Sequence, residues 1–105
     1  MSNRLDRLLE LYENNSQDSF ILFALAKEYE GAENYDKALS FYKILYDNQP
    51  EYTGTYYHYG SLLIKVENFD EAEKVMENGL TVCKEAKAQH AYNELRGLYE
   101  EHFLD

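Results

Sequence analysis

Apolar residues return at intervals of three and four along most of the chain, the spacing that lines one side of an α-helix. Leu5, Leu8, Leu9 and Tyr12 predict a first helix over residues 3–14, and the polar run that ends at Asp18 breaks it. Asp18 is placed to cap a second helix reaching residue 30, with Leu22, Leu25, Ala26 and Tyr29 as its stripe. Residues 31–34 turn the chain into a third helix over 35–47, where Ala38, Leu39, Tyr42 and Leu45 face inward. Asn48, Gln49 and Pro50 stop it, because proline disfavours a helical residue before it. Thr53 is the expected cap of a fourth helix to residue 66, which carries Tyr56, Tyr59, Gly60 and Leu63. A fifth over 69–83 carries Ala72, Val75, Met76 and Leu80. A sixth over 85–103 carries Ala91, Tyr92, Leu95, Leu98, Tyr99 and Phe103. No strand-like alternation lasts, so the expected fold class is all-α with about six helices.

The stretch ENYDKA at residues 33–38 returns as ENFDEA at 67–72, after 34 positions. Two helices of about 14 residues with two short turns consume roughly that length, the period of a helical hairpin repeat. The echo then marks the turn and the start of the second helix in each hairpin. A hairpin alone leaves an apolar face open, and stacking a neighbour closes it.

Composition narrows the function. The length of 105 residues fits one domain, and 45% hydrophobic with 29% charged residues is a globular balance. Twenty acidic against ten basic residues give a formal charge of −10, which repels a phosphate backbone and argues against nucleic acid as a partner. The excess is even along the chain and reads as a solvated surface. The opening MSNRLDRLLELYENN interleaves charges with leucines, so neither a signal peptide nor a membrane anchor is expected, and the reading is a soluble, cytoplasmic protein. Cys83 is the sole cysteine, which excludes an internal disulfide and a zinc site of several thiolates; its expected role is a small buried hydrophobe. His90 and Glu94 have the one metal-like spacing, but two such common ligand types one turn apart describe a solvated helix pair. Phosphate loops and a serine elbow are absent, and Cys83 has no histidine near it in sequence. The chain is therefore read as non-catalytic, with no cofactor and no metal.

The residues at the 34-residue period resemble the tetratricopeptide repeat (TPR) family. In the first copy Leu22, Leu25, Ala26, Tyr29, Ala38, Tyr42 and Pro50 stand at the signature intervals. In the second, Tyr56, Tyr59, Gly60, Leu63, Ala72, Met76 and Lys84 keep the size pattern and replace the final proline. Small residues at 26, 38, 60 and 72 let paired helices approach closely. The last helix repeats part of the signature as Tyr92, Leu95 and Tyr99 after 36 residues, with Arg96 in place of the small residue. The resemblance thus implies a right-handed α-solenoid of antiparallel hairpins in one domain: a half-repeat helix over 1–17, repeats over 18–51 and 52–84, and a capping helix over 85–105.

The same resemblance implies a concave groove lined by the first helix of each pair, and an adaptor or scaffold that binds a protein or peptide there. Groove positions are expected at Phe20, Phe23, Lys27 and Glu30 in the first repeat. Gly54, Tyr57, Ser61, Ile64 and Lys65 follow in the second, and His90, Asn93 and Glu100 in the last helix. Phe23 and Tyr57 occupy equivalent places outside the packing stripes and form a natural anchor pair. One family use, capture of an acidic chaperone C-terminus, needs a lysine and then an asparagine where this chain has Phe23 and Lys27. A mixed or apolar segment with basic residues suits the lining better. The rival reading is self-association, with the aromatic groove covered by the terminal helix or a second subunit.

Overall fold

The computed structural model describes residues 3–104, which form six α-helices: α1 (Asn3–Asn14), α2 (Ser19–Gly31), α3 (Tyr35–Asn48), α4 (Gly54–Lys65), α5 (Phe69–Glu85) and α6 (Gln89–Phe103). They group into two compact units that divide between Gln49 and Pro50.

In the first unit α2 packs against both α1 and α3. Asp18 caps α2 as its position in sequence predicts, its Oδ1 accepting from the Phe20 and Ile21 amides at 2.9 and 3.2 Å. Leu22, Leu25, Ala26, Ala38, Tyr42 and Leu45 are buried, as the stripes of α2 and α3 require. Ile21 and Ala24 are buried as well, although they lie off that stripe. They belong with Leu8 and Leu25 to a cluster flanked by Leu5, Leu9, Tyr12, Tyr29 and Phe41. Phe41 stacks on Tyr29 (5.9 Å between centroids, 6° between planes) and meets the edge of Tyr12 at 5.4 Å. An Arg4–Glu28 ion pair at 3.1 Å links α1 to α2.

In the second unit α4 packs against both α5 and α6, and α5 also packs against α6. Tyr56, Tyr59, Gly60, Leu63, Ala72, Val75 and Met76 are buried as expected; Leu62 and Thr55 are buried in addition. Cys83 takes the expected place of a buried small hydrophobe, and burial pushes its thiol pKa up. Of the α6 stripe only Leu95 is fully buried; the other five residues are half-buried, as befits a helix covered on one side. The most crowded glycine is Gly79, which meets two other helices. A Cβ there would come within 2.6 Å of Tyr56 Cβ and Cγ on α4 and 2.7 Å of Leu95 Cδ2 on α6. Three helices therefore meet where α5 has no side chain. Gly60 is close only to the flexible Met76, at 2.6 Å from Cγ and 3.0 Å from Sδ.

One turn type closes all three hairpins. After α2 the Glu33 amide donates to the Glu30 carbonyl and the Asn34 amide to the Tyr29 carbonyl; the pattern recurs with Glu67 and Asn68, and with Lys87 and Ala88. This is the Schellman motif, whose penultimate residue needs a left-handed backbone. Glu33, Glu67 and Lys87 supply it at φ 62°, 66° and 58°, without glycine. The two ENxD echoes are therefore the left-handed residue, the helix-capping position and the first turn that follows. Asn34 accepts from the Lys37 amide at 3.4 Å, whereas Asn68 makes no side-chain cap bond.

Two boundaries differ from the expectations. Thr53 does not cap α4: its own backbone is helical (φ −65°, ψ −23°) and its side chain makes no cap bond. Lacking glycine or proline after Cys83, α5 runs on to Glu85, and the turn at Lys87 delays α6 to Gln89.

Two stability outcomes follow. Gly79→Ala gains about 1 kcal/mol of helix propensity but overpacks Tyr56 and Leu95 by about 2–3 kcal/mol, so its urea midpoint falls well below that of Gly60→Ala, where Met76 can move aside. Glu67→Gly relieves the left-handed strain of a residue with a Cβ, about 1–2 kcal/mol, against the added freedom of the unfolded chain, about 0.5–1 kcal/mol. Its midpoint rises at unchanged m-value.

Candidate functional site

The residues expected to meet a partner come from α2 in the first unit and from α4 and α6 in the second, and each unit presents its own set. On α2, Phe20 is the most exposed large hydrophobe described, at 69%. It stands at the second helical position, where its amide is held by Asp18 while its ring projects into solvent. Phe23 is half-buried and packs edge-on against Tyr42 of α3, with centroids 6.2 Å apart. That contact makes Phe23 part of the α2–α3 hairpin as well as of the face. Lys27 is exposed, with its Nζ 4.0 Å from Glu30.

Glu30 has a structural duty that spacing alone did not show. The Tyr42 hydroxyl, on a fully buried ring, donates to Glu30 Oε1 at 2.7 Å. Burial, and next the bond to Glu30, push the Tyr42 phenol far above its ordinary value. The hydroxyl holds α2 to α3 through this bond. The sequence signal for this pair is only that a tyrosine, not a phenylalanine, fills the aromatic position, twelve residues after a glutamate.

On α4, Tyr57 and His58 are half-buried, and their rings meet edge-on at 5.5 Å. Ser61 and Ile64 are half-buried, and Lys65 is exposed at the last helical position. Gly54 starts the helix and is exposed. His90 on α6 is exposed, with Nε2 3.5 Å from Glu94 Oε2. Asn93 Oδ1 accepts from Gln89 Nε2 at 2.8 Å, and Glu100 binds Arg96 at 2.7 Å. On α6, then, each expected contact residue is engaged one turn away along its own helix. Tyr99 also donates to Glu77 Oε2 of α5 at 2.7 Å, and this bond raises its phenol to about 12. A raised tyrosine stabilises below its unfolded value of 10.0, so this tie between α5 and α6 persists until pH climbs through about 12.

Among the described residues no group of three or more His, Cys, Asp or Glu could hold a metal ion, and no helix is long and apolar enough to cross a membrane. What the two faces offer is aromatic and aliphatic surface interspersed with single lysines.

Helix hairpins of this kind define a class, the all-α helical-repeat proteins. Among solved structures, the crystal structure of a tetratricopeptide repeat domain protein from Salinibacter ruber is 32% identical, covers 81% of this chain and 94% of that one, and superposes with a TM-score of 0.77. A solution NMR structure of a tetratricopeptide repeat domain protein from the same organism gives the same identity and TM-score and is covered over 86% of its length. No family model matches the chain, and no curated protein does. At that identity and coverage the chain belongs to the tetratricopeptide repeat family, and its fold class is the all-α helical solenoid.

Removing the buried hydroxyl by Tyr42→Phe is expected to cost about 1–2 kcal/mol, the low end for a bond to a charged acceptor that water can partly rehydrate. Urea unfolding checks the cost, and Glu30→Gln should lose less because an amide oxygen still accepts.

Proposed function

We propose that the chain is a non-catalytic interaction module that binds a segment of a partner protein through the outward residues of α2 and α4. The family supports a role in protein–protein contact in general. The observation that carries the finer reading is Phe20: a phenylalanine 69% exposed on a short helix whose other large apolar residues are buried or half-buried. Contiguous exposed apolar surface marks a contact site, and Phe23, three residues on along the same side of α2, extends the surface that Phe20 begins. On α2, Phe23 adds apolar surface and Lys27 charge; on α4 of the second unit, Tyr57 and Ile64 add apolar surface and Lys65 charge. The partner that suits these residues is a mixed apolar segment. His90 and Asn93 serve as secondary contacts from α6.

Phe23→Ala removes ring packing on Tyr42 and so confuses folding with binding. Phe20→Ala is the cleaner probe. Peptides selected from a displayed random library on the wild-type chain should lose about ten-fold or more in affinity for Phe20→Ala and for Tyr57→Ala, the loss typical of an aromatic anchor. Circular dichroism should show unchanged helicity. Affinities that survive both substitutions would remove these faces from the function.

A further inference from the structure

The α5–α6 pair of the second unit carries an aromatic surface set among carboxylates that enter no ion pair among the described residues. Phe69, Glu73 and Glu77 recur at intervals of four and so share one side of α5. Tyr99 and Phe103 share one side of α6, with rings 5.6 Å apart. The Tyr99–Glu77 hydrogen bond joins those two sides, and the charge of Glu73 reaches the same phenol. A tight turn makes α5 and α6 antiparallel, so Phe103, one turn beyond Tyr99, lies toward the Phe69 end of α5. Phe69 is 48% exposed and Phe103 half-buried.

The charges are distributed unequally. The described ion pairs of the second unit, His90–Glu94, Arg96–Glu100 and His102–Glu101, all lie within α6. Asp70, Glu71, Glu73 and Glu77 on α5 take part in no described ion pair. Carboxylates that enter no described ion pair, set beside aromatic rings, give the face a definite complement: a chain that brings cationic heads on apolar stems. The stem of lysine or arginine covers a ring while its head stays with a carboxylate.

We propose that this α5–α6 face docks a basic amphipathic segment of another protein, whose lysine or arginine side chains lie against Phe69 and Phe103 and pair with Asp70 and Glu73. It shares no residue with the α2 and α4 contacts described above and stands or falls separately from them. Glu77 keeps its bond to Tyr99, since an ionised carboxylate has further acceptor capacity.

The test titrates the full chain into a fluorescein-labelled amphipathic peptide of lysine and leucine, with a glutamate–leucine peptide of equal length as control, at about 0.1 M salt. The basic peptide is expected to bind and the acidic one not. Phe69→Ala, and separately Asp70→Asn with Glu73→Gln, should each weaken binding about ten-fold. Glu10→Gln with Glu13→Gln changes the net charge equally but lies on α1, and it should shift affinity by less than about two-fold, as should Phe20→Ala. Equal losses from the two charge pairs would mean general attraction to an acidic protein and would overturn the proposal. So would an affinity indifferent to Phe69→Ala, or sedimentation showing a wild-type dimer that Phe69→Ala dissolves, which would give the face to a second copy. The charge pair keeps the test decisive should Phe69→Ala disturb the start of α5.

Discussion

Close approach between paired helices is the constraint from which the rest of each unit follows. At Gly79 there is no room for even a Cβ, because Tyr56 from α4 and Leu95 from α6 already fill the space. Helices drawn this near bury large neighbours completely, and Tyr56 and Leu95 are each 1% exposed. In the first unit the fully buried Ala26 and Ala38 perform the equivalent service for α2 and α3. With the backbones so close, the tyrosine hydroxyls need polar outlets. Tyr42 reaches Glu30, Tyr56 reaches the Pro50 carbonyl, and Tyr99 reaches Glu77. The abundance of tyrosine is thereby explained in part: ring for packing, hydroxyl for tying one element to the next.

The three Schellman turns set the topology at a modest conformational cost. A left-handed residue with a side chain is strained, yet the same motif ends α2, α4 and α5. Glu33 and Glu67 lie 34 residues apart, but Lys87 comes only 20 after Glu67. The delay of the last helix comes from α5: its 17 residues against 14 in α3 more than offset the tight turn that leads to α6, which is shorter than the stretch from Gln49 to Thr53 between α3 and α4. A helix entering this way meets both α4 and α5, which buries Leu95 and leaves the remaining apolar residues of α6 half-covered.

Charge and apolar surface are arranged differently in the two units. In the first, Arg4–Glu28, Lys27–Glu30 and Lys43–Asp47 pair cations with carboxylates along and between helices, and Phe20 stands out as the exposed ring. In the second, the described ion pairs lie within α6, and Asp70, Glu71 and Glu73 of α5 enter none of them beside the exposed Phe69. Surface ion pairs contribute little to stability, so this contrast matters more for what each surface attracts than for how firmly it folds.

The amino-acid sequence by itself determined the six helices, most of their limits, the Asp18 cap, the small residues at 26, 38, 60 and 72, and the family. Each of these depends on local spacing or on a residue's own backbone preferences, which an isolated stretch already carries. What the tertiary structure decided is the second side of every packed helix. Ile21, Ala24, Thr55, Leu62 and Gly79 are buried off the main stripe because α2, α4 and α5 each touch two neighbours. A single helix shows the phase of one apolar stripe; where a second neighbour lands depends on the turn that delivers it. The partly structural roles of Phe23 and Glu30, both expected only as contact residues, have the same origin. Tyr42 reaches them from another helix, and a distance of 2.7 Å between residues twelve apart exists only once the hairpin has closed.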